Sequence, residues 1–311
     1  MRHCYELLRR LDYASYMPTA HMSHGMRTPS IVLRALQLEL LEARRKASTP
    51  ALAAIRLQWW RDGITAAIDP FFDNHKRQPT NETTSTSSTG TSGQAAVRAT
   101  PVLRALQQLS LHAPLSKYRL HRFHDGLTSR LVDAQPPGTL AALEAEAEAM
   151  ESTLLYVIAE GCGMSSTPLD HALSHLGKAT GLAQGLATLL PELSRGRGWA
   201  LPDDVLCSRG LTWDQLRNGT ADMDALQDAV FEVARCARAH LDQALALQPE
   251  VGPKERLLLL HAVHPGMVLA RLEELNFNAL DASLARGLLG VNPLAFQWKL
   301  LWGGLRGRVK V

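Results

Sequence analysis

Apolar residues recur at spacings of three and four along almost the whole of this 311-residue chain, and strand-like alternation of Val, Ile and Thr is almost absent. That period puts apolar side chains on one face of an α-helix, so the chain must bury its core by packing helix on helix. Leu and Ala are abundant and aromatics are few. The pattern predicts helices near 3–16, 28–47, 49–69, 100–111, 115–132, 139–163 and 168–191, then near 203–208, 212–217, 221–247, 253–262, 264–276 and 293–304. Pro29, Pro50, Pro101, Pro168 and Pro253 fall at or near these starts, where a missing N–H costs least. Thr139 and Thr167 are candidate N-caps. The expected fold is all-α: a single domain over 1–311, with helices packed around a central cavity or core.

One stretch does not fit the periodicity. Residues 74–95, NHKRQPTNETTSTSSTGTSGQA, contain almost nothing to bury, and they read as a disordered low-complexity insert between two helices. The net charge of +3 is small for this length, and no nucleic-acid motif accompanies it. Cys4, Cys162, Cys207 and Cys236 form no C-x-x-C, which favours free thiols in a reducing compartment. No apolar run is long enough to cross a bilayer. The first residues mix Arg2, Arg9 and Arg10 with Glu6 and Asp12. They read as a first helix rather than as a secretory signal or presequence.

Local chemistry is sparse. Gly177-Lys178-Ala179-Thr180 lacks both the G-x-x-x-x-G-K spacing and a preceding strand, so it is no phosphate loop. His171 and His175 lie four apart on one helical face, a zinc-compatible spacing with no third ligand in view; polar or core histidines are the expected reading. His121 and His124 read the same way. Glu144, Glu148 and Glu151 share a face, expected to be solvated. Trp59 and Trp60 stand between Arg56 and Arg61, and periodicity favours a core anchor with flanking surface charges. At the C-terminal end, Phe296, Trp298, Leu301 and Trp302 are interleaved with Lys299, Arg306, Arg308 and Lys310. That mixture suits a membrane interface or a partner groove, and equally a last core helix with a basic tail.

Five stretches taken together resemble the squalene/phytoene synthase family: LRALQLELLEARR (33–45), IRLQWWRDGI (55–64), LEAEAEAMESTLLYVIAEGCG (143–163), HLGKATGLAQGLATLLPEL (175–193) and LPDDVLCSRGLT (201–212). They run in the family's order across nearly the whole chain. The resemblance implies the isoprenoid-synthase fold, in which two aspartate-rich helices clamp magnesium and a prenyl diphosphate. Such a clamp needs hard oxygen ligands on a rigid frame, and acids at i and i+4 supply them from one helical face.

This chain departs from that pattern. Where the first motif would carry Asp-Asp-x-x-Asp it has Leu41, Glu42, Ala43, Arg44 and Arg45; at the second it has Gln184, Ala187, Thr188 and Glu192. One acid remains in each. Arg44 and Arg45 are either solvent-facing or a direct grip on a diphosphate. The departures resemble those of the mitochondrial complex I assembly factor 6 group of this superfamily. Arg34, Glu39, Gln58, Trp60, His175 and Lys178 are among the matching positions. That resemblance implies a non-catalytic pseudoenzyme with no catalytic residues, bound metal or cofactor. It implies a role in assembly of NADH dehydrogenase, complex I subunits or other assembly factors as partners, no nucleic acid, and a place at the matrix side of the inner membrane. Arg34, Glu39, Arg56, Trp59, Trp60, Arg61, His175 and Lys178 are its candidate binding or structural positions. The alternatives are a magnesium-dependent prenyl-diphosphate synthase working through Glu42 and Glu192, and a prenyl-lipid-binding protein without turnover.

Overall fold

The computed structural model describes residues 1–69, 89–132, 135–195 and 200–310. Among them there are helices, turns and one isolated bridge between Leu288 and Val291, but no strand. No helix of the described residues is long and apolar enough to cross a membrane. Contacts divide the chain into two compact units, residues 1–132 with 157–164, and residues 133–156 with 165–311.

The first unit contains α1 (Arg2–Leu11), α2 (Tyr13–Ala20), α3 (His24–Arg45), α4 (Pro50–Ile68), α5 (Thr89–Ala99), α6 (Pro101–Ser110) and α7 (Lys117–Val132). The single helix expected over 3–16 is broken at Asp12, whose side chain accepts from the Ser15 N–H at 3.0 Å and restarts the chain as α2. A carboxylate placed to cap the next turn competes with continuing the helix. Leu33, Leu36 and Leu40 on α3 are fully buried, each worth roughly 1.5–3 kcal/mol against exposure. Thr49 caps α4 by accepting from Leu52 N–H at 3.2 Å, with Pro50 in the first turn.

The expected insert needs correction at its end. Residues 74–88 lie outside the described residues, but 89–95 belong to α5. The Gly/Ser/Thr composition suggests nothing to bury. In fact smallness is what lets α5 lie on α4: a Cβ at Gly93 would sit 2.6 Å from the Asp62 carbonyl oxygen. Ala96 and Val97 are then buried.

The second unit contains α8 (Leu140–Ala147), a π-helical turn (Glu148–Ser152), the start of α9 (Thr153–Gly161), α10 (Thr167–Ala187) and α11 (Leu189–Leu193). It continues with α12 (Asp203–Ser208), α13 (Trp213–Asn218), α14 (Met223–Ala246), a 3-10 segment (Glu255–Ala262), α15 (Val263–Glu274) and α16 (Pro293–Arg306). α10 and α14 pack along their length. Leu169, Leu173, Leu176, Ala179, Ala183 and Leu186 on α10 and Leu226, Val230, Val233, Ala237, Leu241 and Ala244 on α14 are all buried, at spacings of three and four.

Thr139 caps α8 as expected, accepting from Ala142 N–H at 3.1 Å. At α10 the cap is Ser166, not Thr167, accepting from Leu169 N–H at 3.3 Å. α10 also stops at 187 rather than 191. The Thr188 hydroxyl donates to the Gln184 carbonyl at 2.8 Å, and Pro191 has no N–H to continue the ladder to Ala187. The helix expected over 253–262 is a 3-10 segment. Its neighbour Pro265 likewise withholds an N–H from the carbonyl of His261.

The π-turn changes the reading of the glutamates. One extra residue in the turn shifts their register, and the expected solvated acidic face does not exist. Glu144 faces α14, Glu148 faces α10, and Glu151 is buried.

Candidate functional site

In the first unit the first motif's remnants sit on the last turns of α3. Glu42 is held by Arg45 at 2.8 Å, three residues on along the same helix. Glu39 accepts from His3 on α1 at 3.1 Å. Glu39 and Glu42 line a groove of about 470 Å3 between α3 and α4, with Lys46, Arg56, Trp59 and Trp60 on its other sides. Trp59 and Trp60 meet edge to face, with ring centroids 5.6 Å apart, and Trp60 is buried. The structure thus gathers five predicted positions into one groove of mixed charge.

Other predicted positions do not join them. Arg34 is buried, donating to Gln37 at 2.9 Å within α3. Arg61 pairs with Asp125 of α7 at 3.1 Å. Arg44 is half-buried on the last turn of α3. His121 and His124 are structural. His121 meets the Thr65 hydroxyl at 2.9 Å, and buried His124 meets the Leu57 carbonyl at 2.9 Å. A larger cavity of about 860 Å3, near His24, Thr28, Arg104 and Gly161, holds none of the motif positions.

In the second unit the second motif is equally self-contained. Glu192 on α11 is held by Arg195 at 2.9 Å. The Thr188 hydroxyl is engaged by carbonyls of its own helix at 2.8 and 3.2 Å, and Gln184 brings only a neutral amide. Magnesium needs several converging hard oxygens. Each motif here offers one carboxylate, already neutralised by an arginine of its own unit, so these residues do not fit a magnesium–diphosphate clamp. The LPDD stretch is structural as well. Asp203 accepts from the Trp213 indole at 3.0 Å, while Asp204 accepts from Leu140 N–H at 3.2 Å and ties α12 to the start of α8.

A denser polar cluster lies elsewhere in this unit, where α8, α10 and α14 meet. Glu144 of α8 accepts from the Cys236 thiol at 3.0 Å and faces His240 Nε2 at 3.2 Å. His240 Nδ1 in turn faces His175 Nδ1 of α10 at 2.9 Å. Lys178, one turn on from His175, pairs with Glu148 at 3.0 Å. The expected partnership of His175 with His171 does not form: His171 is exposed, and His175 turns to α14. Burial pushes the Glu144 carboxyl up, but the Cys236 and His240 hydrogen bonds and nearby positive charge together hold it below its ordinary value. Burial, then positive charge on His240 and Lys178, pushes His175 down. Burial and the Glu144 carboxylate push the Cys236 thiol up to about 12.

Sequence reading missed Glu144, Cys236 and His240 as a group. The available signal was the i, i+4 spacing of Cys236 and His240, which puts thiol and imidazole on one face of α14.

Comparison with known proteins agrees with this architecture. The squalene/phytoene synthase family model matches residues 8–294. The NADH dehydrogenase (ubiquinone) complex I, assembly factor 6 homolog of Drosophila melanogaster is 30% identical over 308 residues, covering 96% of this chain and 83% of that protein. The rat assembly factor 6 is 27% identical, covering 91% of this chain and 76% of its own length. Among solved structures, a dehydrosqualene synthase superposes with a TM-score of 0.71 at 12% identity, covering 98% of this chain and 95% of that one. A squalene synthase from Alicyclobacillus acidocaldarius superposes with a TM-score of 0.67 at 16% identity, covering 89% and 95%. At such identities the superpositions show the isoprenoid-synthase fold alone. An all-helical fold shared with the synthases, and a family match over most of its length, mean that this chain belongs to the squalene/phytoene synthase family and groups there with the complex I assembly factor 6 proteins.

Proposed function

We propose that this chain is a non-catalytic member of the family, acting in assembly of mitochondrial NADH dehydrogenase (complex I) at the matrix side of the inner membrane. The observation that carries the loss of chemistry is the pairing of both surviving motif acids with arginines: Glu42 with Arg45 at 2.8 Å and Glu192 with Arg195 at 2.9 Å. The assembly role rests on the similarity to proteins that carry that name. Its partners on this reading are complex I subunits or other assembly factors.

Contact with the membrane is peripheral, through α16. Leu294, Trp298, Leu301, Trp302 and Leu305 form an exposed stripe on that helix, opposite buried Phe296, Leu300 and Gly303. Arg306 lies over the Trp302 ring at 4.5 Å. An apolar, tryptophan-bearing face flanked by Lys299, Arg306, Arg308 and Lys310 matches the boundary between acyl chains and anionic headgroups.

The test is depletion of the protein in its own cells, with assembled complex I read on native gels. Rescue uses the wild-type chain and the Glu42→Ala/Glu192→Ala double variant. Complex I is expected to fall on depletion and to return with either chain. Unchanged complex I on depletion sinks the assembly role. A folded double variant that fails to rescue, together with magnesium-dependent diphosphate release by the wild type, establishes the synthase reading instead. A prenyl lipid retained through purification and seen by mass spectrometry points to lipid binding.

A further inference from the structure

The cluster between α8, α10 and α14 has the donors of a transition-metal site. We infer that Cys236 Sγ, His240 Nε2 and a Glu144 carboxylate oxygen bind one zinc-like divalent ion, with solvent in the fourth position and His175 as the outer-shell partner of His240. The three ligand atoms all lie within 4.8 Å of one another. Cys236 Sγ meets Glu144 Oε1 at 3.0 Å and His240 Nε2 meets Glu144 Oε2 at 3.2 Å, so the thiol and the imidazole gather on one carboxylate, as metal–ligand bonds of about 2.0–2.3 Å require. Cys236 and His240 are fixed on one helix face, and Glu144 comes from a separate helix. All three are half-buried, walled by helices yet open to an entering ion.

The proton balance closes. On binding, the thiol proton leaves to solvent and the ion takes the place of the hydrogen that joins Cys236 to Glu144. The His240 ring binds as the neutral imidazole with its hydrogen on Nδ1, where it donates to His175 Nδ1; any second ring proton leaves to solvent with that of the thiol, and the His175 hydrogen sits on Nε2. A ligating histidine whose other nitrogen donates to a fixed acceptor is the usual outer-shell arrangement. Thiolate and carboxylate together neutralise the two positive charges of the ion, which suits a half-buried site. Lys178 also acts on Glu144 and Cys236, but its ammonium is engaged by Glu148 at 3.0 Å. A sulfur, a nitrogen and one oxygen select zinc or a neighbouring first-row ion over magnesium. Its three ligands are other residues than the motif positions Gln184, Thr188 and Glu192.

The experiment titrates the full chain, free of any histidine tag and stripped with chelator, with Co2+ and then with Zn2+. The expected result is one Co2+ per chain with a thiolate-to-cobalt charge-transfer band, bleached by one equivalent of Zn2+. Cys236→Ser, nearly isosteric and still able to donate to Glu144, is expected to abolish the band. His175→Ala is expected to weaken metal affinity about 10–100-fold while the band remains. Cys207→Ser, at an exposed thiol, and His171→Ala are expected to change nothing. Circular dichroism checks that each variant is folded. No band in the wild type, a band surviving in folded Cys236→Ser, or a band lost in Cys207→Ser overturns the assignment. Should Cys236→Ser not fold, Glu144→Gln decides: an unchanged Co2+ affinity in that variant also overturns it.

Discussion

Gly177 opens the Gly177-Lys178-Ala179-Thr180 stretch that superficially suggests a phosphate loop, and the structure gives that glycine a packing role with a calculable consequence. A Cβ placed there would lie 2.3 Å from the Ser152 backbone nitrogen and 2.4 Å from the Ser152 Cα. Ordinary contact begins near 3.4 Å, so α10 and the π-turn would have to part by about 1.1 Å. These are backbone atoms and cannot swing aside. Overpacking of this kind costs roughly 1–3 kcal/mol. Parting also loosens the Ser152 hydroxyl from the Ser174 carbonyl, now at 2.8 Å, at a further cost of about 1 kcal/mol. Against this, alanine is favoured over glycine inside a helix by about 0.8–1 kcal/mol. Gly177→Ala is therefore expected to destabilise the protein by about 1–3 kcal/mol. Gly25→Ala is the internal control. Gly25 lies in α3, and a Cβ there would meet nothing within 4 Å, so only the propensity gain remains, up to about 1 kcal/mol of stabilisation. Urea unfolding followed by circular dichroism reads both midpoints. Equal or rising midpoints for the two variants would refute the direct contact of α10 with the π-turn.

Two further outcomes are expected. Burial, then the charges of Arg61 and Lys117, lower the His121 pKa below 6.5 in the folded chain. Its stabilising effect is thus full above 6.5 and is lost as the pH falls through the folded value. His121→Gln keeps a donor for Thr65 without titrating, so it should lose less stability than the wild type between about pH 8 and about pH 5 in urea melts; identical losses would refute the assignment. On α16, Trp298→Ala should weaken sedimentation with vesicles of anionic lipid by about tenfold, the equivalent of ~1.4 kcal/mol of buried apolar surface, and added salt should weaken it further. Binding indifferent to both would remove the membrane role of this face.

The elements that the sequence makes legible are those whose stripes bury themselves. α10 and α14 place leucines, valines and alanines at threes and fours, and their cores follow directly. What stays hidden lies where one local rule overrides another. Apolar spacing runs straight through Asp12, and only the bond from Ser15 shows that the carboxylate ends one helix and starts the next. The composition of 89–95 argues against burial, yet Gly93 lets a backbone approach where a larger residue could not. A π-turn leaves no mark on periodicity, so periodicity assigns the glutamates to solvent. The metal-ligand cluster is least legible, because Glu144 and Cys236 are 92 residues apart and no local spacing connects them.

On the proposed non-catalytic reading, the motif acids illustrate how a fold can outlast its chemistry. On α3, Leu33, Leu36 and Leu40 are fully buried while Glu42 and Arg45 sit at the helix end, with the arginine side chain 70% exposed. Each buried leucine contributes roughly 1.5–3 kcal/mol, whereas an ion pair open to water contributes about 0.2–1 kcal/mol. Exchanging a metal-binding carboxylate for an arginine at such a position therefore hardly touches stability, although it removes a hard oxygen and adds a positive charge where a cation would bind. In the second unit the surviving acid is likewise held by an arginine outside the motif, Glu192 by Arg195. On that reading a magnesium clamp would require new acids in both units together, while the leucine stripes would hold the helices in place throughout.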